Sequence, residues 1–258
     1  MQSWLDSFVP DMIYAYLLIL TRVGGTLMVL PGFGETFVSP RLRIALAALL
    51  GFVLLPVLKP VLPPVPINVY SLVVAVIHEA IIGVFLGIFA RILLASLEIG
   101  GMIIASQMGI SAATLFNPVL ATQGSLISVF MTLAGIEVMF ITDAHHLFFY
   151  AMRDSYVTFP ATMSLPLNDI SDSIAHVVND SFRLAVQISA PFLVLATIFF
   201  VGMGLLSRLM PQMQIFFIAM PIQILLGLLL FSASFSAMLL LYLDYLSSAV
   251  TTHFLVGG

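Results

Sequence analysis

The sequence has 258 residues, of which 61% are apolar and only 8% are charged, against roughly 25% charged in an ordinary soluble domain. Net charge is −4, with eight scattered Lys and Arg, which excludes a basic nucleic-acid face. The absence of cysteine excludes disulfides, thiolate metal sites and cysteine nucleophiles. Lipid, or a large partner surface, must therefore replace water over much of the exterior.

The N-terminal stretch MQSWLDSFVPDM carries Asp6 and Asp11 and no basic residue. It lacks the positive n-region of a signal peptide, so the first apolar run is expected to be retained. That run is Met12 to Leu30, broken by Arg22. The second is Ile44 to Leu58, and the Pro-rich KPVLPPVP (Lys59 to Pro66) after it is expected to be extended. A third run goes from Tyr70 to Leu97, crossing His78, Glu79 and Arg91. From Ile99 to Ile136 there is no charge, but Gly100, Gly101, Gly109, Asn117, Pro118 and Gly124 are expected to break this stretch up. Leu126 to Ile141 reads as its helical end. The most polar segment is Asp143 to Arg183, read as a loop. Leu184 to Ser207 is a clean span, and Leu209 to Leu243 is uncharged but too long for one span without a kink at Pro221 or a projection beyond the lipid.

The expectation is an all-α integral membrane protein of about six long apolar helices with an irregular apolar loop near 106–124. One domain covers 1–258: N-terminal helices over 12–142, a polar loop over 143–183 on the outer side, and a C-terminal helical hairpin over 184–247. Basic residues in short loops set orientation. Arg41, Arg43 and Arg208 fall inside, both termini outside, and Lys59 alone lies on the wrong side.

Five ionisable residues interrupt apolar runs: Arg22, Glu79, Arg91, Glu98 and Glu137. Each would cost ~2.5–3.5 kcal/mol at a lipid-facing helix centre. Either they are shielded by protein or part of the bundle lies outside the hydrocarbon, and because one chain of this size has limited interior, both readings imply partner subunits. A second reading is an ion-coupled secondary transporter or channel subunit that uses the intramembrane carboxylates.

Motifs for chemistry mostly fail. His78-Glu79 would need a second His at position 82 to form a zinc motif, and Ile82 stands there. Asp143-Ala144-His145-His146 reads as a polar loop start, with adjacent histidines expected to face different ways. Gly32-Phe33-Gly34 lacks the remaining glycine of a dinucleotide loop, and no nucleophile–base pair is evident. No catalytic, cofactor or metal site is expected. Gly83 and Gly87 form G-x-x-x-G, a spacing that lets another backbone approach closely.

Two stretches are odd for membrane helices. SQMGISAATLFNP (Ser106 to Pro118) is uncharged and contains helix breakers. Irregular backbone at apolar depth must be satisfied inside protein or along a water-filled path. Gly109, Ser111, Ala112, Ala113 and Thr114 are small, and Ile110, Leu115 and Phe116 are large enough to exclude water and ions from a narrow lumen. This makes residues Gly109 to Pro118 a candidate gate. GLLSRLMPQMQ (Gly204 to Gln214) is a basic turn between two apolar helices.

EIGGMIIASQMGISAATLFNP (Glu98 to Pro118) and GMGLLSRLMPQMQIFFIAMP (Gly202 to Pro221) resemble the two best-marked segments of the FliR family of flagellar export-gate proteins, which is related to the T-type subunits of injectisomes. Arg22 with Pro31, Pro40-Arg41-Leu42-Arg43, Glu79 with Gly83 and Gly87, and Asp143-Ala144-His145 extend the likeness over about residues 12–240. The family often has Asp-Pro at Asn117-Pro118 and Asn-Gly-His at Asp143-Ala144-His145. The resemblance implies an inner-membrane core subunit of the export apparatus at the flagellar basal body, its helices arranged as bent hairpins. It implies FliP-like and FliQ-like partners in a channel, FlhB-like and FlhA-like proteins at the cytoplasmic side, and unfolded exported chains passing through. It further implies that Gly109 to Pro118, including Asn117, form a plug, and that Arg208, Pro211 and Gln212 lie at the cytoplasmic entrance.

Overall fold

A computed structural model describes residues 2–110, 126–161, 167–209 and 215–254. Among these the regular structure is helical: α1 Gln2–Val29, α2 Pro40–Leu58, α3 Val69–Gln107, α4 Leu126–Ile141, α5 His145–Thr158, α6 Leu167–Leu209 and α7 Ile215–Phe254. Five of these helices are long and apolar enough to cross a membrane, or six if α4 and α5, bent by 75°, form one span.

Local chemistry explains several boundaries. Ser39 caps α2, its side chain accepting from the Leu42 N–H, with Pro40 at the first helical position, where the missing N–H costs nothing. The Pro-rich connector is extended only from Leu62 onward, because Lys59–Val61 forms a short 3₁₀ turn. α4 stops at a turn where Asp143 takes φ 57°, a left-handed conformation that short polar side chains tolerate.

Two sequence expectations change. Gly100 and Gly101 do not end α3. They are places of close approach: a Cβ on Gly101 would lie 2.6 Å from Ser128 Cα, and one on Gly100 3.4 Å from the Ala185 carbonyl. The polar stretch 143–183 is not a loop but largely helix, forming α5 and the first part of α6. Ile170, Val177 and Leu184 are buried at seven-residue spacing along α6, the stripe that an amphipathic helix needs. Most of the long uncharged run after Arg208 lies in α7, a 40-residue helix with Pro221 inside it, and α6 likewise contains Pro191.

The single domain read over 1–258 divides into two compact units. One comprises residues 1–93, 143–177 and 247–258, and the other residues 94–142 and 178–246. In the first, Leu18, Ile19, Val23, Leu27, Ile82 and Phe89 are buried, and so is Arg22, one of the largest fully buried side chains. Phe89 meets Phe254 edge-on at 4.7 Å, and Phe85 meets Phe159 at 5.7 Å. In the second, Leu97, Met131, Ile188, Phe192 and Tyr242 are buried, and Phe130 lies 5.3 Å from Phe235.

Candidate functional site

Arg22, midway along the apolar part of α1, is fully buried, and so is Glu79 on α3. Nε of Arg22 donates to Glu79 Oε2 at 2.6 Å, and Nη2 donates to Oε1 at 2.9 Å. Nη1 donates to Ser155 Oγ at 3.1 Å and Nη2 also to the Phe159 carbonyl at 3.0 Å. The guanidinium carbon stands 3.8 Å from the centre of the Tyr156 ring. A guanidinium offers five N–H donors in a planar fork, and this cage matches that geometry. Two opposite charges that would be costly apart are neutralised bidentately and sealed from solvent.

The two helices can approach this closely because α3 presents glycines. A Cβ on Gly83 would strike the Arg22 backbone, 3.0 Å from its Cα. One on Gly87 would lie 2.6 Å from Val29 Cβ and 2.9 Å from the Thr26 carbonyl. The G-x-x-x-G spacing thus seats α1 against the backbone of α3 at the ion pair itself.

The other three interrupting charges are not buried by this chain. Arg91, Glu98 and Glu137 are exposed in this chain. Arg91 Nη1 pairs with Glu35 Oε1 at 3.3 Å, while Arg43 Nη2 donates to the Glu35 and Val38 carbonyls, so two cations tie down the turn between α1 and α2. Glu98 and Glu137 project from α3 and α4 in the second unit.

The candidate gate is described only at its root. Ser111, Ala112, Ala113, Thr114, Leu115, Phe116, Asn117 and Pro118 lie outside the described residues, as do Pro211 and Gln212. Gly109 has φ 77° just past the end of α3, and Ile110 follows it. Gln223 of α7, which sequence reasoning did not single out, donates from Nε2 to the Gln107 carbonyl at 2.7 Å. A signal was available, since Gln223 is the one polar side chain between Ile215 and Phe231. Arg208 is exposed in the last turn of α6, where a cation complements the helix dipole. Asp143, His145 and His146 hold their possible ligand atoms within 4.8 Å of one another. Contrary to expectation the two rings lie side by side, 4.2 Å apart, in the first turn of α5.

Long apolar helices, one sealed ion pair and carboxylates on otherwise apolar surface define a polytopic membrane protein. The chain belongs to the bacterial export proteins, family 1, whose model matches residues 13–249. It is 35% identical to the flagellar biosynthetic protein FliR of Caulobacter vibrioides over 232 residues, covering 90% of this chain and 92% of that protein. It is 27% identical to the FliR of Bacillus subtilis, with 94% of each chain covered. It is also 30% identical to the Yop proteins translocation protein T of Yersinia pestis over 149 residues, 56% of each chain. The chain is accordingly an inner-membrane subunit of the flagellar or type III export apparatus, and the ion-coupled transporter reading is not favoured. Glu79, one of the carboxylates that reading would use, is clamped by Arg22 and closed to solvent.

Proposed function

We propose that this chain is a non-enzymatic core subunit of the export gate, forming part of the channel through which unfolded flagellar proteins leave the cell. The observation that carries this reading is the pair of exposed carboxylates, Glu98 and Glu137, on helices otherwise suited to lipid. A charge facing hydrocarbon costs ~2.5–3.5 kcal/mol, so protein or water must meet both. FliP-like and FliQ-like membrane subunits supply that cover, with FlhB-like and FlhA-like proteins on the cytoplasmic side. α2 and α7, each only 17% buried over its apolar span, offer further surface to the same partners.

In this reading residues 109–118 are the gate. Their support is physical: the segment carries no charge and contains helix breakers, and it begins with a left-handed glycine at the end of α3. Weak apolar contacts suit a plug that an unfolded chain must displace. Arg208, Pro211 and Gln212 form the cytoplasmic entrance, with both termini periplasmic. Deleting residues 110–116 tests the gate. Retained assembly with ion leakage is the expected result, and a complex that assembles, stays tight and still exports would overturn it.

A further inference from the structure

α5 begins at a turn that gathers three metal-ligating side chains. Asp143 takes φ 57°, a conformation that few residues other than glycine, asparagine and aspartate adopt. Its carbonyl accepts from the His146 N–H at 3.0 Å, and the Ala144 carbonyl accepts from the Leu147 N–H at 3.1 Å, so the main chain fixes the turn. Across it, Asp143 Oδ1 stands 4.0 Å from His146 Nδ1. The His145 ring lies beside that of His146, with centroids 4.2 Å apart and planes 35° from parallel. Both rings rest on Phe149, at 6.0 and 6.1 Å, and Phe149 in turn meets Phe33 at 6.0 Å. One ligand atom from each of Asp143, His145 and His146 therefore comes within 4.8 Å of the other two. A surface ion pair between Asp143 and His146 would account for one imidazole. It gives no reason for the second to be held beside the first.

We propose that Asp143, His145 and His146 form a binding site for a divalent transition-metal ion of the Zn²⁺ class. Two imidazoles and one carboxylate are the donor set of three-ligand zinc sites, and imidazole suits Zn²⁺, Cu²⁺ and Ni²⁺ where Ca²⁺ and Mg²⁺ take oxygen ligands. Bonds of ~2.0–2.2 Å in a tetrahedron bring neighbouring ligand atoms to about 3.3 Å. The cluster can close by that much, because the side chains of Asp143 and His146 are 75% and 53% exposed and can rotate without disturbing a packed core. Three ligands leave one tetrahedral position for water or for a ligand from another chain. The site depends on neither the gate nor the channel, and all three residues belong to the first compact unit.

The test uses the full chain in detergent, stripped with a chelator, with Zn²⁺ or Co²⁺ alone as the probe. One equivalent should bind, and the visible absorption of tetrahedral Co²⁺ should report it. Asp143→Asn keeps the side-chain shape and tolerates the same left-handed backbone, but removes the anionic donor. His145→Gln and His146→Gln each remove one imidazole. Each change should weaken binding by more than the ~10–100-fold that loss of an outer-shell partner costs. His176→Gln, at an exposed histidine outside the cluster, should leave binding at the wild-type level. A wild-type chain that binds no ion, or cluster variants that bind as tightly as wild type, overturn the site. Should a variant fail to fold, the unaltered chain decides. Zn²⁺ should protect His145 and His146 together, and not His176, from an imidazole-acylating reagent mapped by mass spectrometry. Equal modification of the pair with and without Zn²⁺ overturns the proposal.

Discussion

Arg22 and Glu79 meet through two parallel hydrogen bonds, 2.6 and 2.9 Å long, with no solvent access to either side chain. The pair joins α1 to α3, and Ser155, Tyr156 and the Phe159 carbonyl bring α5 and its exit into the same cluster. A buried charge is tolerable only while its partner remains. Arg22→Met or Glu79→Met alone should therefore lower the stability of the detergent-solubilised chain by about 3–5 kcal/mol. Arg22→Met combined with Glu79→Met should cost less than either single change. Thermal unfolding of the three variants checks this, and additive losses would contradict it.

The glycines of α3 give a second, independent measurement of the same contact. Gly83→Ala drives a methyl into the Arg22 backbone, and backbone cannot swing aside as a side-chain tip can. A loss of about 1–3 kcal/mol is expected, as for other overpacked sites. Gly202→Ala and Gly204→Ala are the controls, because nothing lies within 4 Å of a Cβ at either position. In the isolated chain both should be neutral or stabilising by up to ~1 kcal/mol, since alanine is the better helix former.

How much of this was legible in the sequence depends on what each residue asks of its neighbours. Arg22 stood out as a charge inside an apolar run, but nothing local distinguished Glu79 as its partner from Glu98 or Glu137. The pairing is set by how α1 and α3 register across 57 residues, which periodicity does not encode. Gly100 and Gly101 looked like breakers because glycine weakens isolated helices, whereas here tertiary approach to Ser128 and Ala185 accounts for them. The stretch 143–183 looked like a loop because it is polar, yet Ile170, Val177 and Leu184 already traced a helical stripe. Gly109 stood out as a break in an uncharged stretch, while Gln223 was hidden because its hydrogen bond to the Gln107 carbonyl exists only across a tertiary contact.

Arg208 is the charge that separates two uncharged runs, Leu184 to Ser207 and Leu209 to Leu243. It is exposed at the C-terminal end of α6, and in the topology proposed from the positive-inside tendency it faces the cytoplasm. Because the native chain has no cysteine, Ser207→Cys supplies a single reporter. An impermeant thiol reagent should label it from the cytoplasmic side only. Labelling from the periplasm would invert the whole proposed topology.

Glu98 and Glu137 separate a role in assembly from a role in folding. Both carboxylates are exposed in the isolated chain. The backbone beside Glu98 is fixed independently of its side chain, since Ser128 Oγ donates to the Glu98 carbonyl at 2.9 Å. Glu98→Gln and Glu137→Gln should therefore leave the stability of the isolated chain within about 0.5 kcal/mol of wild type, as other surface changes do. If partner cations or polar groups meet these carboxylates, losing one charge-assisted hydrogen bond should weaken assembly by about 1.5–3 kcal/mol. That corresponds to a roughly ten- to hundred-fold drop in co-purified partner at limiting concentration. If the carboxylates instead faced lipid, neutralising them would ease insertion and leave partner recovery unchanged or improved. Quantitative co-purification of membrane partners, run beside thermal melts of the solubilised chain, distinguishes the two. Unchanged assembly in both variants would remove the main support for partner cover over α3 and α4.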